Sequence, residues 1–245
     1  MISFLISAIK IVFLLGFLVF IHEGGHFLVA KFCKVKVNEF AIGFGPVIWK
    51  KQKGETKYAL RLIPLGGFVS MEGEDEDSQD ERSFNKAKIS QRIAIVAAGA
   101  IVNIVFGVLV FFIIASIIYK NALIGLNLTG NFLISIIDSI KMLFTGNVSI
   151  NDFSGPVGIS EVVASTKTAF EYVYIISVIS VSLGVTNLLP IPALDGGKIL
   201  ILIIEWIRKK PLNKDLEIKI QLMGFSFLIA LSIYITYFDV LKLFK

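Results

Sequence analysis

Six residues near the N-terminus, Ile21-His22-Glu23-Gly24-Gly25-His26, contain the only two histidines of the chain. On a helix, residues four apart share a face with Cβ atoms roughly 5–6 Å apart, so both imidazoles can reach one metal ion. Glu23 follows the first of them. The H-E-x-x-H pattern supplies two nitrogen ligands for zinc and a carboxylate able to take a proton from the attacking water. It stands at the end of an apolar run, where three ionisable side chains so close together argue for a functional site rather than an ordinary membrane helix. Gly24 and Gly25 each cost roughly 0.8–1 kcal/mol in a helix interior relative to Ala, which suggests that something packs close to the backbone there.

A second candidate lies far along the chain, at Asn187-Leu188-Leu189-Pro190-Ile191-Pro192-Ala193-Leu194-Asp195-Gly196-Gly197. Two prolines separated by one residue remove backbone donors and call for an extended segment, which is tolerated at membrane depth only where it lines a cavity or is buried in protein. Asp195 follows directly. Catalytic zinc commonly takes three protein ligands and keeps one position open, so Asp195 is a candidate third ligand. It is equally a candidate N-cap for the next helix. The residues alone leave both readings open.

The elements that must position these residues are membrane elements. The chain has 245 residues, 55% of them apolar, with a mean hydropathy of +0.79, far outside the soluble range. The net charge of +5 is unevenly spread, so it does not point to nucleic acid. Lys and Arg concentrate between Lys31 and Arg92 and between Lys198 and Lys219, whereas Lys120 to Lys167 holds three. By the positive-inside rule the first two regions face the cytoplasm and the third the opposite side. Cys33 stands alone, which excludes an internal disulfide and reads as a small apolar residue at a helix end. The N-terminus lacks a basic n-region and an A-x-A-like cleavage site, so it reads as a retained span.

The expected fold is an α-helical polytopic membrane protein with about four transmembrane helices, a single intramembrane domain over 1–245. The spans are 1–32, 93–119, 172–194 and 222–240. Between the first two, residues 34–71 show a period of two and form a membrane-associated β-element with a turn at Lys53-Gly54, and Gly43-Phe44-Gly45-Pro46 and Pro64-Leu65-Gly66-Gly67 serve as turns or close backbone approaches. Its edge could hold an unfolded substrate by strand addition, or it could simply cap the membrane domain. Glu72 to Glu81 carries seven carboxylates in ten residues and reads as a solvated loop without the order of a calcium site. Asn103, inside the second span, is expected to bond to a neighbouring helix or to act in substrate handling. Residues 132–144 form an interfacial amphipathic helix, and Asp152 to Gly158 is a loop. Lys198 to Lys210 is too short to span. Four crossings place both termini outside, with the β-element and the site on the cytoplasmic side of the inner membrane.

Taken together, His22 to His26, Gly43-Phe44-Gly45-Pro46, Pro64-Leu65-Gly66-Gly67-Phe68-Val69, Ser90 to Gly99, Gly155-Pro156-Val157-Gly158-Ile159 and Asn187 to Gly197 resemble the site-2 proteases, specifically their RseP-type branch. The resemblance covers most of the chain in the right order. It implies a zinc-dependent intramembrane endopeptidase whose zinc is held by His22, His26 and Asp195, with Glu23 as catalytic acid/base, and so favours Asp195 as a ligand. It implies that Asn187, Pro190 and Pro192 act near the substrate, and it gives the strand-addition idea at Gly66 and Gly67 a family basis. The implied partners are single-span membrane proteins already shortened by another protease, such as anti-sigma factors or remnant signal peptides, within the lipid bilayer. Two departures stand out. The RseP-type PDZ domain is lacking, because only about fifty residues separate the second and third core spans, and Ala100 stands where relatives often have proline.

Two other classes compete. A catalytically inactive membrane scaffold could retain the zinc site for stability, although the intact His22, Glu23, His26 and Asp195 speak against it. A transporter built on intramembrane polar residues would show an inverted repeat of the broken-helix motif, and none is visible.

Overall fold

A computed structural model describes residues 2–74, 76, 78–146 and 154–243. The expectations for Asp75, Asp77, Asp152 and Phe153 lie outside the described residues, as do those for the side chains of Leu65, Leu143 and Phe144. The elements run α1 (Ile2–Phe32), β1 (Val37–Lys53), β2 (Thr56–Met71), a 3-10 turn (Phe84–Lys86), α2 (Ile89–Ile118), α3 (Ala122–Thr145), α4 (Pro156–Ser165), α5 (Ala169–Asn187), α6 (Asp195–Arg208) and α7 (Lys214–Leu243). Five helices, α1, α2, α3, α5 and α7, are long and apolar enough to cross a membrane by length and composition. Their exposed Leu, Ile, Val and Phe side chains suit a lipid environment.

The chain packs as two compact units. One comprises residues 12–104 and 183–223 and holds the sheet, α6 and all the residues singled out for chemistry; the other comprises 1–11, 105–182 and 224–245. In the first, a core of Ala30, Val35, Val37, Met71, Phe84, Ile95, Val96 and Leu202 joins the end of α1, the roots of the strands, the start of α2 and α6. The strands are long and bent. On one side of β1 the register runs in the opposite sense, from Val37 opposite Met71 to Ile42 opposite Gly67; on the other, Glu39 to Ile42 meet Lys57 to Leu60 in the same sense. The hairpin closes at Lys53 and Thr56 around Gly54, whose φ of +61° is the left-handed conformation a tight turn needs.

In the second unit, α3 is longer than the expected interfacial helix at 132–144. It starts at Ala122 because the Asn121 side chain caps it, accepting from the Leu123 and Ile124 N–H groups at 2.9 and 3.3 Å. It folds back on α2, with Phe132 stacked on Phe111 at 4.3 Å between ring centroids. The Gly, Asn and Thr residues of 121–131 interrupt the apolar period, which hides this first stretch from a periodicity argument. The third expected span, 172–194, is also re-bounded: α5 covers Ala169–Asn187, and Asp195 is the first residue of α6.

Candidate metal centre

Regular α1 geometry sets His22 and His26 one above the other, with ring centroids 4.8 Å apart and their Nε2 atoms 3.2 Å apart. The Ile95 carbonyl on α2 lies 2.8 Å from His26 Nδ1, so that nitrogen carries the proton and Nε2 keeps its lone pair free. His22 has a similar neighbour. The fully buried Asn103 places its side-chain Nδ2 3.5 Å from His22 Nδ1, an amide N–H directed at that ring nitrogen. Asn103 thus bonds to a neighbouring helix, as expected, and the neighbour is a site histidine.

This closeness of α1 and α2 depends on missing side chains. A Cβ on Gly25 would stand 2.6 Å from the Ala98 carbonyl oxygen, and one on Gly99 would overlap His26 Nε2 and come within 2.9 Å of His22 Cε1. Gly24 has nothing within 4 Å, so of the two glycines only Gly25 marks the close backbone. Gly99 was not singled out from sequence for this role. The run Ala97-Ala98-Gly99-Ala100 carries the signal, since small residues in a membrane helix let backbones approach.

Asp195 reaches the histidines from the other end of the chain. A Cβ on Gly184 would stand 2.5 Å from the Ala100 carbonyl oxygen, so α5 lies directly on α2 just before the connecting segment. That segment is not extended, contrary to expectation. It coils into tight turns, with Leu189 N–H on the Thr186 carbonyl at 3.1 Å, Ile191 on Leu189 at 2.7 Å and Leu194 on Ile191 at 3.1 Å. Gly196 and Gly197 sit under the carbonyls of Leu188, Leu189 and Ile191, where a Cβ would overlap backbone atoms. Compact turns satisfy the carbonyls that an extended strand would leave unpaired. Leu194 occupies the N-cap position and Asp195 the first helical position, so Asp195 is not the cap. Its Oδ2 lies 3.2 Å from His22 Nε2 and 3.5 Å from His26 Nε2.

These three atoms fit a cation. His26 Nε2 has no proton to offer, and Asp195 Oδ2 is buried without a hydrogen bond. His26 Nε2 and Asp195 Oδ2 each offer a lone pair that a bound cation would take up. The His/His/carboxylate set is the donor type of a catalytic metal site with an open position.

Glu23 is half-buried and lies close enough to His26, Asp195 and Glu74 to interact with their charges. Strand β2 passes over it, since a Cβ on Gly67 would stand 3.0 Å from Glu23 Cγ and 2.8 Å from the Ala41 carbonyl oxygen. Gly66 beside it has φ +117° and lies against the Phe44 ring. Asn187 ends α5 half-buried, Pro190 is exposed and Pro192 half-buried, and none of the described hydrogen bonds or ion pairs joins them to the metal set. Around the site, Lys198, one turn after Asp195, pairs with Glu74 just beyond β2, and Arg92 pairs with Glu205 at 3.0 Å. Both cations also lie over the buried Phe84 ring, at 5.1 Å for Arg92 and 5.2 Å for Lys198.

Fold and site together define a polytopic membrane protein in which two histidines and a carboxylate could hold a metal ion beside a glutamate. Residues 10–231 match peptidase family M50, and the chain belongs to that family, the site-2 proteases. It is a site-2 type metalloendopeptidase. A Clostridium acetobutylicum relative, named a zinc metalloprotease only provisionally, is 29% identical over 92% of this chain and 94% of its own. The zinc metalloprotease RasP of Geobacillus kaustophilus is 24% identical over 100% of both chains. The regulator of sigma-E protease RseP of Escherichia coli is 39% identical over 46% of this chain and 26% of its own. The Clostridium alignment runs over 320 positions against a chain of 245 residues, so that relative carries inserted residues without counterpart here. This accords with the lack of a PDZ domain.

Proposed function

We propose that this protein hydrolyses a peptide bond within the transmembrane segment of a single-span membrane protein, using zinc held by His22, His26 and Asp195 and Glu23 as acid/base. The observation that carries the reading is the convergence of His22 Nε2, His26 Nε2 and Asp195 Oδ2 beside Glu23, under strand β2. When bound, zinc supplies Lewis-acid polarisation of the scissile carbonyl and of the attacking water. Glu23 takes the water proton and later delivers one to the leaving amine. The Ile95 carbonyl beside His26 Nδ1 and the Asn103 amide beside His22 Nδ1 orient the imidazoles.

A peptide bond in a transmembrane helix is hydrogen-bonded and shielded, so the substrate must unwind before it is cut. Residues Gly67 to Met71 of β2 have described pairing partners on one side only, in β1, and Gly67 lies over Glu23. A substrate segment added to that edge is extended and held beside the catalytic groups. We assign Gly66, Gly67, Asn187, Pro190 and Pro192 to the substrate path, as the family resemblance implies. The substrates are single-span proteins already shortened by another protease, such as anti-sigma factors or remnant signal peptides. The Lys/Arg bias puts the site on the cytoplasmic side of the inner membrane.

Glu23→Gln is expected to abolish cleavage while zinc stays stoichiometric by elemental analysis. Membrane proteomics of cells carrying that variant should show single-span fragments that accumulate relative to wild type. Retained turnover would sink the assignment of Glu23.

A further inference from the structure

We infer that Gln221, on α7, is a positioning residue for the metal centre, because its side chain holds the turn that presents Asp195. The inference rests on the reading of Asp195 as a zinc ligand. The Leu194 N–H to Ile191 carbonyl bond of 3.1 Å closes a four-residue turn, Ile191-Pro192-Ala193-Leu194. Proline occupies its second position, and the third, Ala193, has φ +75°. This is the pattern of a type II turn, whose third position needs positive φ and ordinarily goes to glycine. An alanine there is strained and persists only when its surroundings over-determine it.

The surroundings include one specific bond. In such a turn the N–H of the third residue takes no part in the closing bond, and here the Ala193 N–H donates to Gln221 Oε1 at 2.5 Å. The turn continues without a break into α6. The Leu194 carbonyl accepts from Gly197 and Lys198 at 3.0 and 3.2 Å, and Asp195 is the first residue of the helix. The torsions of Ala193 therefore set the direction in which Asp195 leaves the turn. Without the Gln221 acceptor, Ala193 can relax toward negative φ, which rotates the chain two residues before the carboxylate.

The test uses the full zinc-loaded chain in detergent and measures transfer of zinc to a colorimetric chelator. Loss of a residue that orients a ligand from behind weakens metal binding about 10–100-fold, and Gln221→Leu should release zinc faster by a factor in that range. Gln221→Glu keeps an acceptor at the same reach and should hold zinc like wild type. Adding Ala193→Gly to Gln221→Leu removes the strain and should restore most of the retention. Release from Gln221→Leu at the wild-type rate, equally fast release from Gln221→Glu, or no recovery on adding Ala193→Gly would each overturn the inference. A wild-type protein without stoichiometric zinc would instead overturn the metal-site reading, so the two failures are distinguishable.

Discussion

At Gly99 the decisive feature is a methyl group that is not there. Both imidazoles occupy the volume a Cβ would take, so the distance between α1 and α2 and the position of the ligands are one property. Gly99→Ala forces the rings or the helices apart, and overpacking of this kind costs about 1–3 kcal/mol. The expected outcome is a folded protein with substoichiometric zinc and little activity, checked by elemental analysis alongside thermal unfolding in detergent. Full zinc occupancy would show that the rings can swing aside. Asn103 belongs to the same logic, because a histidine ligand is defined as much by what holds its far nitrogen as by its position on the helix.

Among the elements, α4 is held at both ends by charges from elsewhere. Asp239 of α7 is buried, and its Oδ2 accepts from the Gly155 and Gly158 N–H groups at 2.8 and 2.9 Å, at the helix N-terminus. Lys10 of α1 donates to the Thr166 carbonyl and hydroxyl oxygens at 2.9 and 3.1 Å, at its C-terminus. Both signs match the helix dipole. Asp239→Ala leaves two amides without their charged acceptor and is expected to cost about 1–3 kcal/mol, read as a lower thermal transition. On the sheet side, hydrogen bonds from Ser78, then Asn38 and Lys36, hold the Glu72 carboxyl well below its usual range, at about 2 against 4.5. A depressed folded pKa means that this contact contributes fully above pH 4.5 and is lost as pH falls through about 2. Hydrogen exchange of segment 78–82 should rise over that interval, and Ser78→Ala should move the rise to higher pH.

For the molecule as a whole, family membership accounts for zinc as the cofactor, and the short run from α3 through α4 connects the core helices where a PDZ domain is lacking. The sequence by itself determined what is local. His22, Glu23 and His26 are legible because one helical turn brings them together, and the apolar helices are legible because a bilayer demands long uninterrupted runs. The sheet was legible from its period of two and from the turn at Lys53-Gly54, whereas Gly43 to Pro46 and Pro64 to Gly67 lie within the strands as close approaches. The start of α3 was not, since its small polar residues blur the period and its cap is a single asparagine. Tertiary structure alone decided whether Asp195 caps a helix or faces the histidines, because an aspartate before two glycines suits both until α5 and α6 are placed. It likewise decided that Pro190 and Pro192 lie in tight turns, that Gly25 matters where Gly24 does not, that Gly99 and Ile95 lie against the histidines, and that Gln221 meets the turn before Asp195. Each of these depends on which backbone lies opposite, and contacts between residues far apart in the chain leave no period or spacing to read.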